Sequence, residues 1–418
     1  MKILFTVYYG LGKGGAEVST KILAEELKKS GDDVVFVSTE KYDGFRTHMI
    51  FGYNKLPFFI QRAYAVRFLC DVIKREGVDV VHAHDRLTAV YAILAAKKCK
   101  VPVVVNFRDY WFACPRSSCV AHDGFVYDVC SYGTILRHFA KGRVLFDIYK
   151  WRWLKSVRKI LKMADAKIAN SNAVLRKMIM CGILGGVVVP ISRDFDGAGL
   201  MMSGSGNAGI DIGDVGEYKK TRSLGKVVVT YVGGLTDVKG VRNLMKIIDD
   251  VLRANKETSY REVSFYIVGD GPLFGELKRF VWENNYFHKV ILAGQIGREE
   301  MRLVYGASDI ILLPSIWEEP LSGVLLEAGI MKKAVIASRR GGNIDCVNDG
   351  VNGFLLEPFD IEMWKEKILY LAENEDVRVR MGEENFKFVN EKFDSKLVVK
   401  RFREIYSGLT GKKSGKRL

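Results

Sequence analysis

A chain of 418 residues is longer than one hydrophobic core usually serves, so two domains are expected. A hydrophobic content of 48% with mean hydropathy near zero describes a soluble globular protein. No uninterrupted apolar run approaches the ~20 residues of a spanning helix. A net charge of +15 points to phosphates, whether on nucleic acid, anionic lipid or a phosphorylated ligand.

Taken in order, MKILFTVYYG runs straight into a strand with no secretory-signal pattern. Seven scattered cysteines, an odd number, suit reduced thiols, so a cytoplasmic protein is expected. Strand-like runs then alternate with amphipathic helical stretches. KILFTVYY, DVVFVST, VDVVHAH, VPVVVNF, AKIANS and VVVP read as strands in the first half. KVVVTYVGG, VSFYIVGDG, VILAGQI, DIILLPS, AVIAS and VNGFLLEP read as strands in the second. Helices over 16–29 and 299–307 are typical of the stretches between. Valine-rich strands separated by helices imply parallel sheets covered on both faces, hence an α/β fold of two doubly wound units facing a cleft. The alternation breaks over the glycine-rich stretch 197–224, read as a linker or mobile loop. That divides the chain into 1–196, 197–224, 225–392 and a terminal helix with a basic tail at 393–418.

Ligands of such sheets bind at the carboxyl ends of the strands, so the strand exits carry the chemistry. The first exits into YYGLGKGGAEVST, where Gly14 and Gly15 open a helix. The spacing is not that of G-x-G-x-x-G. Gly233 and Gly234 follow the seventh strand of this reading, with Lys239 five residues on, in reach of a diphosphate as a point charge. Gly269 and Gly271 form the next exit. DIILLP leads to Glu319, and a helix beginning near Ser322 carries Glu327. Carboxylates accept sugar hydroxyls and a helix N-terminus accepts an anion, so this pair fits a polyhydroxylated, phosphorylated ligand.

Three other features stand out. His82 and His84 alternate on a strand and read as core-edge residues, with His84 a candidate for the acceptor side of the cleft. Cys114, Cys119 and Cys130, with His122 nearby, lack a C-x-x-C pair, so ordinary loop cysteines are expected rather than a metal site. Residues 137–162 interleave nine Lys/Arg with aromatics on a helix. That pattern suits an anionic membrane surface better than nucleic acid, for which no other motif is present.

The motifs GGAE at 14–17, VHAHD at 81–85, VVVNFRDYWFACP at 103–115, IANSNAV at 168–174, YVGGLTDVKG at 231–240, IVGDGPL at 267–273, EPLSGVLLEA at 319–328 and GGNIDCVNDGVNGFLLEP at 341–358 together resemble the retaining glycosyltransferases of family 4, which have the GT-B fold of two Rossmann-like domains. The resemblance covers nearly the whole chain. It implies an acceptor domain first, a donor domain second, and a terminal helix that crosses back to the first. It implies transfer of a hexose from a nucleotide-diphosphate sugar to a glycan or lipid-linked acceptor, with retained configuration and no cofactor or metal. Within it, Glu327 of the E-x7-E pair binds ribose, and Glu319 binds sugar hydroxyls near the reacting carbon. Lys239 neutralises the leaving diphosphate. Leu321, Ser322, Gly323 and Val324, with Gly14 and Gly15, cradle phosphate, and Gln295 and Ile296 edge the base.

Two positions depart from the family pattern. Gly234 stands where many relatives have arginine. Asn106, Phe107, Arg108 and Asp109 stand where a histidine is common. Arg108 cannot be a base, but suits an acceptor phosphate, with Asp109 and His84 beside it. The alternatives are a catalytically weak nucleotide-sugar-binding protein, which the departures favour, and a sugar-nucleotide epimerase of the same fold, which lacks the E-x7-E pair.

Overall fold

A computed structural model describes residues 1–8, 15–50, 58–114, 116–121, 125–138, 144–191, 226–257 and 261–411. The expected linker at 197–224 and Gly14 lie outside them. The chain divides into two compact units.

The first unit is built from β1 (Lys2–Thr6), α1 (Gly15–Lys29), β2 (Asp33–Ser38), β3 (Arg46–Met49), α2 (Phe58–Glu76), β4 (Val80–Ala83), α3 (Arg86–Cys99), β5 (Val103–Phe107), α4 (Tyr132–His138), α5 (Val144–Leu161), β6 (Ala166–Ala169), α6 (Asn172–Met180) and β7 (Gly186–Val188). Its seven strands run in the order β3-β2-β1-β4-β5-β6-β7, all parallel. Central strands such as VVVNF are buried along their whole length, as a sheet covered on both faces requires. Of the described strands only β3, RTHM, was missed by the sequence reading. It is a short edge strand without an apolar run.

The second unit holds β8 (Val227–Val232), a 3₁₀ turn (Asp237–Lys239), α7 (Val241–Glu257), β9 (Val263–Val268), α8 (Phe274–Glu283), β10 (Val290–Gly294), α9 (Arg298–Ala307), β11 (Ile310–Leu313), α10 (Gly323–Ile330), β12 (Ala334–Ser338), α11 (Asn343–Cys346), β13 (Gly353–Leu356), α12 (Ile361–Glu373) and α13 (Glu375–Phe393). Its parallel sheet has the order β10-β9-β8-β11-β12-β13. In each unit the strand order reverses once beside the first strand, between β1 and β4 and between β8 and β11. Such a reversal opens a crevice at the carboxyl ends of the strands.

The last helix, α14 (Ser395–Thr410), is N-capped by Asp394, which accepts from Leu397 N–H. It belongs to the first unit and packs on α1. Val398, Val399, Phe402 and Tyr406 are buried in the same core as Phe5, Phe36 and Tyr42. The Tyr406 hydroxyl lies 2.7 Å from His82 Nδ1, inside that core. Burial of these four side chains at roughly 2 kcal/mol each makes this helix integral to the unit.

Candidate functional site

In the second unit the strand exits converge through their backbones. Gly240 takes a left-handed φ of 75° and lies so close to Pro314 that a Cβ would sit 1.8 Å from its carbonyl oxygen. Ile316 and Trp317 N–H both donate to Val238 O, at 3.0 and 3.3 Å. These contacts bring the 3₁₀ turn after β8 against the loop after β11. The result is the central pairing of the site. Lys239 Nζ donates to Glu319 Oε1 at 2.7 Å, and Ser315 Oγ donates to the same oxygen at 2.7 Å. The Lys239 ammonium also lies 5.1 Å from the Trp317 ring centroid. Glu319 is only 4% exposed, while the Lys239 side chain is 27% exposed. The sequence reading named both ends of this pair but not Ser315 or Trp317.

Ser322 caps α10, accepting from Leu325 N–H, so the free N–H groups of its first turn lie at the same strand end as Glu319. Leu321 and Ser322 are buried, and Gly323 and Val324 half-buried. Glu327, half-buried one turn along α10, accepts from the Tyr305 hydroxyl of α9 at 2.8 Å. Gln295 is exposed just past β10, and Ile296 packs against Val228, Tyr266, Val268, Ala293 and Val304.

The glycines of the β8 and β9 exits have a structural reason as well. A Cβ on Gly269 would meet Gly233 O at 1.9 Å, and one on Gly271 would meet Leu235 O at 2.6 Å. Leu235 N–H donates to Asp270 O at 2.9 Å. These two loops are zipped together, and their glycines permit that contact first. Gly234 differs: a Cβ there meets nothing nearer than Asp270 O at 4.0 Å.

In the first unit Gly15 opens α1. Arg108 follows β5 and is turned toward α1. Its Nη1 donates to Thr20 Oγ1 at 2.6 Å and Ser19 Oγ at 3.2 Å, and its Nη2 lies 2.8 Å from His84 Nδ1. Because arginine only donates, His84 Nδ1 accepts and its ring proton resides on Nε2. His84 is buried, with its ring against Phe5 and His82, and burial together with the neighbouring His82 and Arg108 holds its pKa well below the ordinary value. His84 therefore stays neutral and serves the core edge. Asp109 accepts from Trp111 N–H at 2.7 Å, and burial pushes its carboxyl up to about 6. Asp85, which the sequence reading passed over, caps α3 and accepts from Tyr8 N–H at 2.6 Å. Among the described residues no group of His, Cys, Asp or Glu is arranged to hold a metal ion.

Two family models match this chain. Glycosyl transferases group 1 matches residues 217–388, and Glycosyltransferase Family 4 matches residues 13–192. An uncharacterized glycosyltransferase of Methanocaldococcus jannaschii is 30% identical over 259 residues, which covers 61% of this chain and 62% of that one, under two thirds of its length. A second uncharacterized glycosyltransferase of that organism is 24% identical over 417 residues, covering 98% of this chain and 99% of that one. Among solved structures, HepE of Anabaena in complex with UDP matches with a TM-score of 0.70 at 20% identity, covering 98% of this chain and 100% of that one. At that identity the likeness speaks for the fold.

Proposed function

We propose a nucleotide-diphosphate sugar as donor and a glycan or lipid-linked acceptor for this chain, which belongs to the GT-B glycosyltransferases of group 1 and family 4. The observation that carries the donor reading is the pairing of Lys239 with Glu319 at one strand end, beside the capped N-terminus of α10. When the sugar leaves, the bond from its anomeric carbon to the β-phosphate oxygen breaks and the electron pair stays on that oxygen. Lys239 and the α10 N–H groups supply positive charge where that negative charge grows. Glu319, with Oε1 held by Lys239 and Ser315, is the carboxylate for the sugar hydroxyls, and the acceptor hydroxyl adds to the anomeric carbon as its proton passes to the departing diphosphate oxygen. Glu327, fixed by Tyr305, binds the ribose. The configuration at the anomeric carbon is retained, as the family resemblance implies, and no metal is required for charge neutralisation.

A panel of UDP-, GDP- and ADP-sugars titrated against the protein by calorimetry tests this reading. One base class binding saturably supports it; no binding by any member counts against it. The Anabaena structure holds UDP, which makes UDP-sugars the first members to try.

Gly234 offers a sharper check. Nothing crowds its missing side chain, and it is not among the left-handed glycines. Gly234→Arg should therefore add a second cation beside Lys239 and raise nucleoside diphosphate affinity by roughly tenfold, the worth of one charge-assisted hydrogen bond. Unchanged or weaker binding would place the diphosphate elsewhere.

The acceptor side rests on α5. Leu145 is 84% exposed and Tyr149 65%, with Phe146, Arg152 and Trp153 also exposed along the same helix. Lys150 lies over the Phe146 ring and Lys155 over Trp151. Trp151 is turned inward, its indole N–H donating to Cys130 O at 2.9 Å, so it is Trp153 that faces outward. Exposed aromatics flanked by cations suit the headgroup layer of an anionic membrane carrying a lipid-linked acceptor. Each cation adds about 1 kcal/mol near anionic lipid. Cosedimentation with anionic vesicles should be strong at low salt, weak with neutral vesicles, and abolished by the triple change Lys150→Glu, Arg152→Glu, Lys155→Glu. Wild type remaining in the supernatant would turn the acceptor reading toward a free glycan. Among the described residues no helix is long and apolar enough to cross a membrane.

A further inference from the structure

The second unit carries a groove and an aromatic platform outside the residues assigned to the donor. The groove, of about 460 Å³, runs between α7 and α8. Met245, buried, and Phe280, half-buried, give it an apolar lining. Three cations, Arg242, Lys246 and Arg279, and three carboxylates, Asp249, Glu276 and Glu283, edge it, so its charges balance. Arg242 donates to Glu276 across one end, and its Nε donates to Asp237 Oδ1 at 2.7 Å. Asp237 belongs to the 3₁₀ turn that carries Lys239, so this end adjoins the donor turn. From there the groove follows both helices for roughly 10 Å, to Asp249 and Glu283. Among the described residues, the side chains of Lys246, Arg279 and Glu283 make no hydrogen bond or ion pair.

The platform lies at the other end of α8. Trp282 is 72% exposed and Phe287, in the turn that follows, 45%. Their ring centroids are 5.6 Å apart at an interplanar angle of 33°, and the His288 ring lies 4.2 Å from that of Phe287. The turn itself is pinned. Asn285 takes a left-handed φ of 57°. The buried Tyr286 sets its ring against Phe280 and donates its hydroxyl to Asp249 Oδ1 at 2.7 Å. Tyr286 thus ties the platform to both walls of the groove. Arg279 has Trp282 at i+3 and Glu283 at i+4, so the groove edge and the platform share one helix face. A single exposed aromatic is ordinary on a surface; two rings held side by side at the mouth of a groove form a contact surface for a ligand.

We propose that this surface binds a neutral oligosaccharide outside the transfer site. Balanced charge gives an anionic bilayer or a nucleic acid no net attraction. A sugar hydroxyl both donates and accepts, so carboxylates alternating with guanidinium and ammonium groups suit it on both counts. The axial C–H bonds of a pyranose carry partial positive charge and rest on the negative face of an aromatic ring, which Trp282 and Phe287 offer. A glycan held here stays at raised concentration beside the turn of Lys239. The choice of a glycan rests on the acceptor reading above.

Calorimetric titration of the full chain with maltohexaose, cellohexaose, chitohexaose and mannohexaose tests this. At least one should bind saturably, and Trp282→Ala should weaken that binding by roughly tenfold. Trp282 is exposed, so its replacement leaves the core intact, and nucleoside diphosphate binding by the variant should equal that of wild type. Glu283→Gln, at the groove edge, should weaken the sugar in the same direction. Binding by none of the four, or binding that both variants leave unchanged, would overturn the proposal. So would a wild-type dimer in sedimentation velocity that Trp282→Ala dissolves, which would give the surface to a second copy of the chain. Each readout is taken without sugar transfer, so a failure here leaves the donor reading standing, and a failure to bind any sugar nucleotide leaves this site standing.

Discussion

Glu319→Gln should lower turnover by roughly 10²-fold or more, about 3 kcal/mol of transition-state stabilisation, while nucleotide affinity hardly moves. The reasoning is geometric. A glutamine at 319 can still accept from Ser315 and Lys239 through its Oε1, both of which reach that oxygen at 2.7 Å in the wild type. The loop therefore keeps its shape. What disappears is the negative charge facing the sugar as its anomeric centre gains positive character. A loss confined to kcat marks an interaction made only in the transition state. Steady-state kinetics with calorimetric nucleotide binding separates the two. Near-normal turnover with lost binding would exchange the roles of Glu319 and Glu327.

Lys239→Ala should weaken nucleoside diphosphate binding by roughly 10- to 100-fold, the worth of a hydrogen bond to a charged group, and leave the affinity for the plain nucleoside nearly unchanged. The Lys239 side chain is the more exposed member of its pair with Glu319, so its ammonium can serve a ligand as well as the carboxylate. Its removal also leaves the buried Glu319 with Ser315 as a hydrogen-bond donor, and some loss of thermal stability should accompany the loss of affinity. Comparing the diphosphate with the nucleoside removes that stability effect from the reading. Magnesium or EDTA should matter little to wild-type activity. A strict metal requirement would take from Lys239 the part of charge neutraliser.

The strands were legible because an interior parallel strand must be apolar on both faces, and runs such as VVVTYV and DIILL carry that pattern directly. RTHM does not, and β3 went unread. Glu319, Glu327 and Lys239 stood out because charge beside a strand exit is conspicuous. Ser315 and Tyr305, which hold the two glutamates, did not. One is a single hydroxyl four residues before Glu319, and the other lies on a different helix, 22 residues before Glu327. Only the fold reveals such partners. The glycine exits read as room for phosphate, whereas Gly269 and Gly271 first let two loops touch.

The central claim is that a sugar leaves its nucleoside diphosphate at the Lys239–Glu319 pair. It is tested most directly by following nucleoside diphosphate release by phosphorus NMR, from the sugar nucleotide that binds, for wild type and for the double variant Lys239→Ala, Glu319→Gln. Circular dichroism would establish that both are folded. Release by the wild type, with the double variant slower by roughly 10²-fold or more, is the predicted result. Release by the double variant at the wild-type rate would contradict it.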